Sequence, residues 1–169
     1  SSPGEIATAA VGPYTITPAL VDPGGFLPNY TITLNTGILT VTRRDLVVTP
    51  ADKTKVYGDV FSAFTGTITG IQNNDPITAN YTSPGSVADA PVALSPYTIS
   101  AALVDPANRA ANYNVILNTG ELSVTLRPLT VTPDNQAKVF GTTFPAANFT
   151  GVVTGLQAFD PITVTYASP

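Results

Sequence analysis

Few side chains in this sequence have the chemistry to act on another molecule. Glu occurs only at Glu5 and Glu121, and the Asp residues, among them Asp52, Asp59, Asp75 and Asp105, are spread singly. A glycosidase needs two carboxylates on either side of one bond, and calcium needs roughly six to eight oxygens. Isolated carboxylates without a D-x-D-x-D-G run suit neither. The aromatic residues Phe26, Tyr30, Tyr113 and Phe159 are the candidate glycan contacts, as rings on which a sugar would stack. Asn29, Asn80 and Asn148 each stand two residues before Thr and are candidate glycosylation acceptors. Lys55 and Lys138 occupy the same place in two Lys-Val-aromatic-Gly motifs. Joined to an Asn such as Asn118 they would make a cross-link. The plainer expectation is a solvated Lys guarding a strand edge against unwanted pairing.

His, Cys, Met and Trp are absent. Their absence removes the Ser-His-Asp and Cys-His nucleophiles, the ordinary zinc and haem sites, and any disulfide framework. The expectation is no catalytic residue, no cofactor, no metal and no enzyme. Seven cations against eleven anions is the wrong balance for nucleic acid. No apolar run approaches the roughly 18 residues of a membrane span. Charged residues make up 11%, well below the usual roughly 25%. With 26 Thr among the 169 residues, the surface is neutral and β-branched.

Positioning falls to an internal repeat. PYTITPALVDP (13–23) returns as PYTISAALVDP (96–106), and NYTITLNTGILTVT (29–42) as NYNVILNTGELSVT (112–125). KVYG (55–58) returns as KVFG (138–141), and the segment 64–84 as 149–169. Most equivalent positions are 83 apart, with two-residue insertions before Tyr97 and after the Lys-Val-Phe-Gly motif. Pro169 would lead into Gly4 of a further copy without loss of register, so the chain reads as two periods of a longer array.

Apolar and polar residues alternate almost throughout, as in Tyr30, Ile32 and Leu34 against Thr31 and Thr33. That period predicts half-buried strands, with Thr fitting the outer pleat. Strands are expected at 45–50, 53–57, 64–71, 77–82, 96–102, 112–118 and 120–126, and a single helical turn at 107–111. Asn35-Thr36-Gly37 and Asn118-Thr119-Gly120 predict three-residue hairpins. Asp-Pro at 22, 75, 105 and 160 predicts turns. The expected fold is all-β, with tandem antiparallel sandwich-like (Ig-like) modules in an elongated array; β-grasp-like modules are the alternative.

The motif residues Leu46–Val48, Lys55-Val56-Tyr57-Gly58-Asp59, Gly70, Asp75, Tyr97, Asn112-Tyr113 and Gly120 together resemble the MBG-type (YGX) repeat of large bacterial surface proteins and adhesins. The second copy departs at Phe140 and Thr142, which replace Tyr57 and Asp59. The resemblance implies a module start near residue 43. The chain then divides into the back half of one module (1–42), a complete module (43–126) and the front half of the next (127–169). The competing phase divides it at Ser-Pro-Gly, into 1–84 and 85–169. It also implies a secreted, cell-surface structural protein, a stalk, spacer or fibre subunit. Its expected partners are neighbouring repeats, joined head to tail, and the alternative is an adhesive module that binds glycan or host matrix.

Overall fold

The computed structural model describes residues 1–168; the expected join of Pro169 to Gly4 lies outside the described residues. The protein is all-β. Among the described residues the eleven strands are β1 (Gly12–Ile16), β2 (Gly37–Val41), β3 (Arg44–Pro50), β4 (Lys53–Val56), β5 (Gly66–Thr69), β6 (Thr78–Thr82), β7 (Tyr97–Val104), β8 (Tyr113–Leu117), β9 (Gly120–Thr125), β10 (Thr130–Pro133) and β11 (Gly151–Thr154). The remaining regular structure is short 3₁₀ turns, one of them Arg109–Asn112, where a helical turn was expected. Residues between 43 and 126 form strands close to the expected bounds. The strands separate into several sheets, as a sandwich-like fold requires.

The chain divides into two compact units. The first comprises Ser1–Ala51, Thr65–Thr82 and Ser100–Gly120. Here β3 lies between β5 and β8. It is antiparallel to β5, with Val48 opposite Ile68, and parallel to β8, with Leu46 opposite Val115. Leu46, Ile77 and Tyr113 are its buried centre, with Ile68, Ile71, Leu103 and Val115 packed around them. The antiparallel pairs β1–β2 and β6–β7 complete the unit.

The second unit comprises, among the described residues, Asp52–Phe64, Ser83–Ile99 and 121–168. Here β9 lies between β4 and the first residues of β7. It is parallel to β4, with Lys55 opposite Val124. Ile99, Leu122 and Val124 are buried, and β10 pairs antiparallel with β11.

Two expectations are corrected. The sheets are mixed rather than wholly antiparallel, because β3–β8 and β4–β9 run parallel. Neither expected three-residue hairpin forms: 30–34, before Asn35-Thr36-Gly37, is not a strand, and β8 and β9, on either side of Asn118-Thr119-Gly120, belong to different sheets. Asn118 stays with β3, its amide nitrogen donating to the Val48 carbonyl at 2.9 Å and its side chain to Thr49 Oγ1. The Glu121 amide donates to the Asp52 carboxylate at 2.8 Å, which starts β9. Alternation says that a segment is a strand, but not which strand it joins.

The two copies repeat their local geometry closely. Ser2 and Ser83 cap equivalent turns through their side-chain oxygens. The tyrosine of each following strand, Tyr14 or Tyr97, donates to a carbonyl of the intervening loop at 2.7 Å. Gly70 and Gly155 sit at φ +97° and +90°, and an added Cβ would lie within 2.1 Å of the Asp45 or Pro128 carbonyl oxygen. Only glycine fits there, on both conformational and steric grounds.

Candidate functional site

Within the first unit the sequence Gln72-Asn73-Asn74-Asp75 turns tightly, the Asp75 amide donating to the Gln72 carbonyl at 2.9 Å. Asn73 and Asn74 both take left-handed φ, near +53° and +55°, which Asn tolerates better than most residues. The turn aims the Asp75 carboxylate at Tyr113, whose hydroxyl donates to it at 2.7 Å. That hydroxyl also accepts from the Gln72 amide at 2.9 Å. Arg109 Nε lies 3.7 Å from the same carboxylate. Burial, then the bond to Asp75, raises the Tyr113 hydroxyl above its ordinary range. Asn73 donates to the Ala7 carbonyl at 3.1 Å, and Asn112 accepts from the Val11 amide at 2.9 Å. Between these ties is a cavity of about 190 Å³, lined in part by Ala7, Thr8, Arg44, Gln72, Asp75 and Tyr113.

The second unit holds the repeat-equivalent turn, Gln157-Ala158-Phe159-Asp160, closed by a bond from the Asp160 amide to the Gln157 carbonyl at 3.0 Å. Here an incoming ring occupies the turn. Tyr57 donates to Asp160 Oδ1 at 2.6 Å and packs edge-on against Phe159, with centroids 6.0 Å apart. The bond to Asp160, with burial adding, raises the Tyr57 hydroxyl. Gly58 follows at φ +90°, and an added Cβ would meet Gln157 at 2.5 Å. Its amide donates to the Ala88 carbonyl at 3.0 Å. Arg127 clasps the loop from the other side, through the Tyr57 carbonyl and an ion pair with Asp59.

Lys55 is a correction. Its side chain is buried rather than solvated, with Nζ donating to the Asp59 carbonyl at 2.9 Å and to the Val87 carbonyl. Burial pushes its pKa down, opposed by Asp59 and Asp89. Lys138, its counterpart, is exposed.

The candidate glycan contacts do not form one rim. Phe26 and Tyr30 flank an exposed 3₁₀ turn at Leu27–Asn29 in the first unit. Tyr113 is buried in the core of that unit, so it offers no free ring face, because its ring fills the space beside Leu46 and its hydroxyl serves Asp75. Phe159, in the second unit, is partly covered by Tyr57. Asn29, Asn80 and Asn148 are all exposed. Among the described residues no three His, Cys, Asp or Glu side chains gather as a metal site would require, and no helix is long and apolar enough to cross a membrane. The Tyr57–Asp160 pair was not expected from the sequence; the only signal was that both motifs recur in the repeat.

Residues 46–123, from β3 to β9, match the family model of the MBG domain (YGX type). This segment is an MBG domain of the YGX type. The Tyr57-Gly58 pair lies inside the match, at the loop that holds the Asp160 turn. MBG domains are repeat modules of bacterial surface proteins. No curated protein and no solved structure matches the chain.

Proposed function

We propose that this chain is a structural repeat region of an extracellular bacterial surface protein, acting as a stalk or spacer or as the subunit of a fibre. The observation that carries this reading is the grip of the Tyr57-Gly58 loop on the Asp160 turn, which couples one copy of the repeat to the next. The side chains with chemical potential are engaged in such structural bonds: Asp75 with Tyr113, Asp59 with Arg127, and Lys55 with two carbonyls. That engagement supports a non-enzymatic role. On this reading the module runs from 43 to 126, with partial modules at 1–42 and 127–169.

Chains of two, four and six repeats, compared by small-angle scattering, test it. A maximum dimension that grows by a constant increment per repeat is expected; a dimension that levels off overturns the spacer. The competing reading, an adhesive module, draws support from the exposed Phe26 and Tyr30. Binding of a glycan or matrix protein at micromolar concentration, abolished by Phe26→Ala, would decide for it.

A further inference from the structure

We propose that the cavity beside Asp75 receives the Lys138–Gly141 loop of a second copy of this chain, with the Phe140 ring as its anchor. The inference rests on the structural-repeat reading above and names the residues that join one copy to another.

The second unit supplies the pattern. There Tyr57 enters the Asp160 turn, the Gly58 amide meets the Ala88 carbonyl, Lys55 reaches the Val87 carbonyl and the Phe61 amide donates to Ser86 at 2.8 Å. The 83-residue repeat gives every receiving group a counterpart in the first unit. Ala7 stands for Ala88, Ile6 for Val87 and Glu5 for Ser86. Arg44 stands for Arg127, and Asp75 for Asp160. Ala7, Arg44 and Asp75 all line the 190 Å³ cavity, which no ring occupies.

The donor side is equally open. Phe140 is 102% exposed and Val139 74% exposed, although the equivalent Tyr57 and Val56 are half-buried. A large ring held wholly in water before a positive-φ glycine, Gly141 at +84°, has the shape of an unfilled anchor. Backbone pairing agrees. β4 lies parallel to β9, whereas β2, the counterpart of β9, pairs only with β1 among the described residues. The register of Lys53 with Leu122 and Val56 with Thr125 becomes Gln136 with Leu39 and Val139 with Thr42. The incoming segment would add a parallel strand to the free edge of β2.

The exchange of Tyr for Phe also makes sense. Asp160 takes a proton donor from Tyr57, but Asp75 already has the Tyr113 hydroxyl and Arg109. A ring without a hydroxyl leaves no buried carboxylate unpaired there. Donor and acceptor are different surfaces, so the contact does not close on itself and extends as a chain.

Sedimentation velocity over a concentration series to about 1 mM is the test, because weaker contacts have little standing against free diffusion. The wild-type chain is expected to form a ladder of oligomers. Phe140→Asp, which removes the anchor, and Thr8→Trp, which fills the cavity, are each expected to weaken association at least tenfold. Their mixture is expected to form a heterodimer and nothing larger, since each variant keeps one working surface. A wild-type chain that remains monomeric overturns the docking but leaves a covalent stalk intact. Association unchanged by Phe140→Asp overturns this site while keeping self-assembly. Glycan binding lost on Phe26→Ala would overturn the spacer reading alone.

Discussion

Residues 43–126 and the flanking copies share the motifs of one repeat and differ greatly in burial. Leu46 is wholly buried, whereas its counterpart Leu129 is 46% exposed. Ile99 is wholly buried and Ile16 40% exposed; Tyr113 is 5% exposed and Tyr30 70%. The strands follow the same rule. Residues 113–117 form β8 because β3 lies alongside, but the equivalent 30–34, with no such neighbour among the described residues, form no strand. Likewise 53–56 is β4 beside β9, while 136–139 is irregular. The pairs β1–β2 and β10–β11 survive because both strands of each lie in the same flanking segment. A strand in this repeat is therefore a property of a pair, since alternation creates an apolar face but the partner supplies the hydrogen bonds.

The comparison breaks most visibly at the core. Leu46→Ala is expected to cost about 2–5 kcal/mol in denaturant unfolding, and Leu129→Ala less than about 1 kcal/mol, because a cavity forms only where the site is enclosed. Equal losses would mean that the flanking copy is as well packed as the complete one. The glycines of the two Lys-Val-aromatic-Gly loops come next. Both have positive φ, but only Gly58 has a neighbour in the way. Gly141→Ala should cost about 1 kcal/mol from backbone strain alone, and Gly58→Ala measurably more by thermal melting.

Tyr57→Phe and Phe140→Tyr sharpen the contrast at lower amplitude. Removing the hydroxyl that Asp160 accepts should lower the melting temperature, and adding one at exposed Phe140 should leave it unchanged. In alkali, burial and Asp75 hold the folded Tyr113 hydroxyl above its unfolded value near 10.0. The unfolded chain therefore loses that proton first, and the stability present below pH 10.0 declines as the pH rises through the folded value. Tyr113→Phe should flatten this alkaline slope in melts from pH 9 to 11. The smallest effect is shared by both regions. Backbone amides, Leu27 for Asp22 and Ala110 for Asp105, hold these carboxylates below their ordinary 3.8. The stability they add above that value is lost as the pH falls through the folded value. Asp22→Asn and Asp105→Asn should blunt acid unfolding to a similar degree, since the turn that holds each is local.

Sequence by itself determined the repeat, its two insertions, the strands of the complete copy within one or two residues and the Asp-Pro turns. These depend on neighbours a few residues away, through φ preferences, side-chain-to-backbone bonds and the period-two face. Tertiary structure decided what lies beyond that range. It made β3–β8 and β4–β9 parallel, sent the chain through Asn118-Thr119-Gly120 into another sheet, buried Lys55 and Tyr113, and brought Tyr57 to Asp160 across 103 positions. A hydrophobic alternation is identical whether its partner is parallel or antiparallel, and a tyrosine reads the same whether buried or free. Only the placement of strands brought together from distant parts of the chain distinguishes them, and that is why Leu46 and Leu129, at equivalent positions of the repeat, have opposite surroundings.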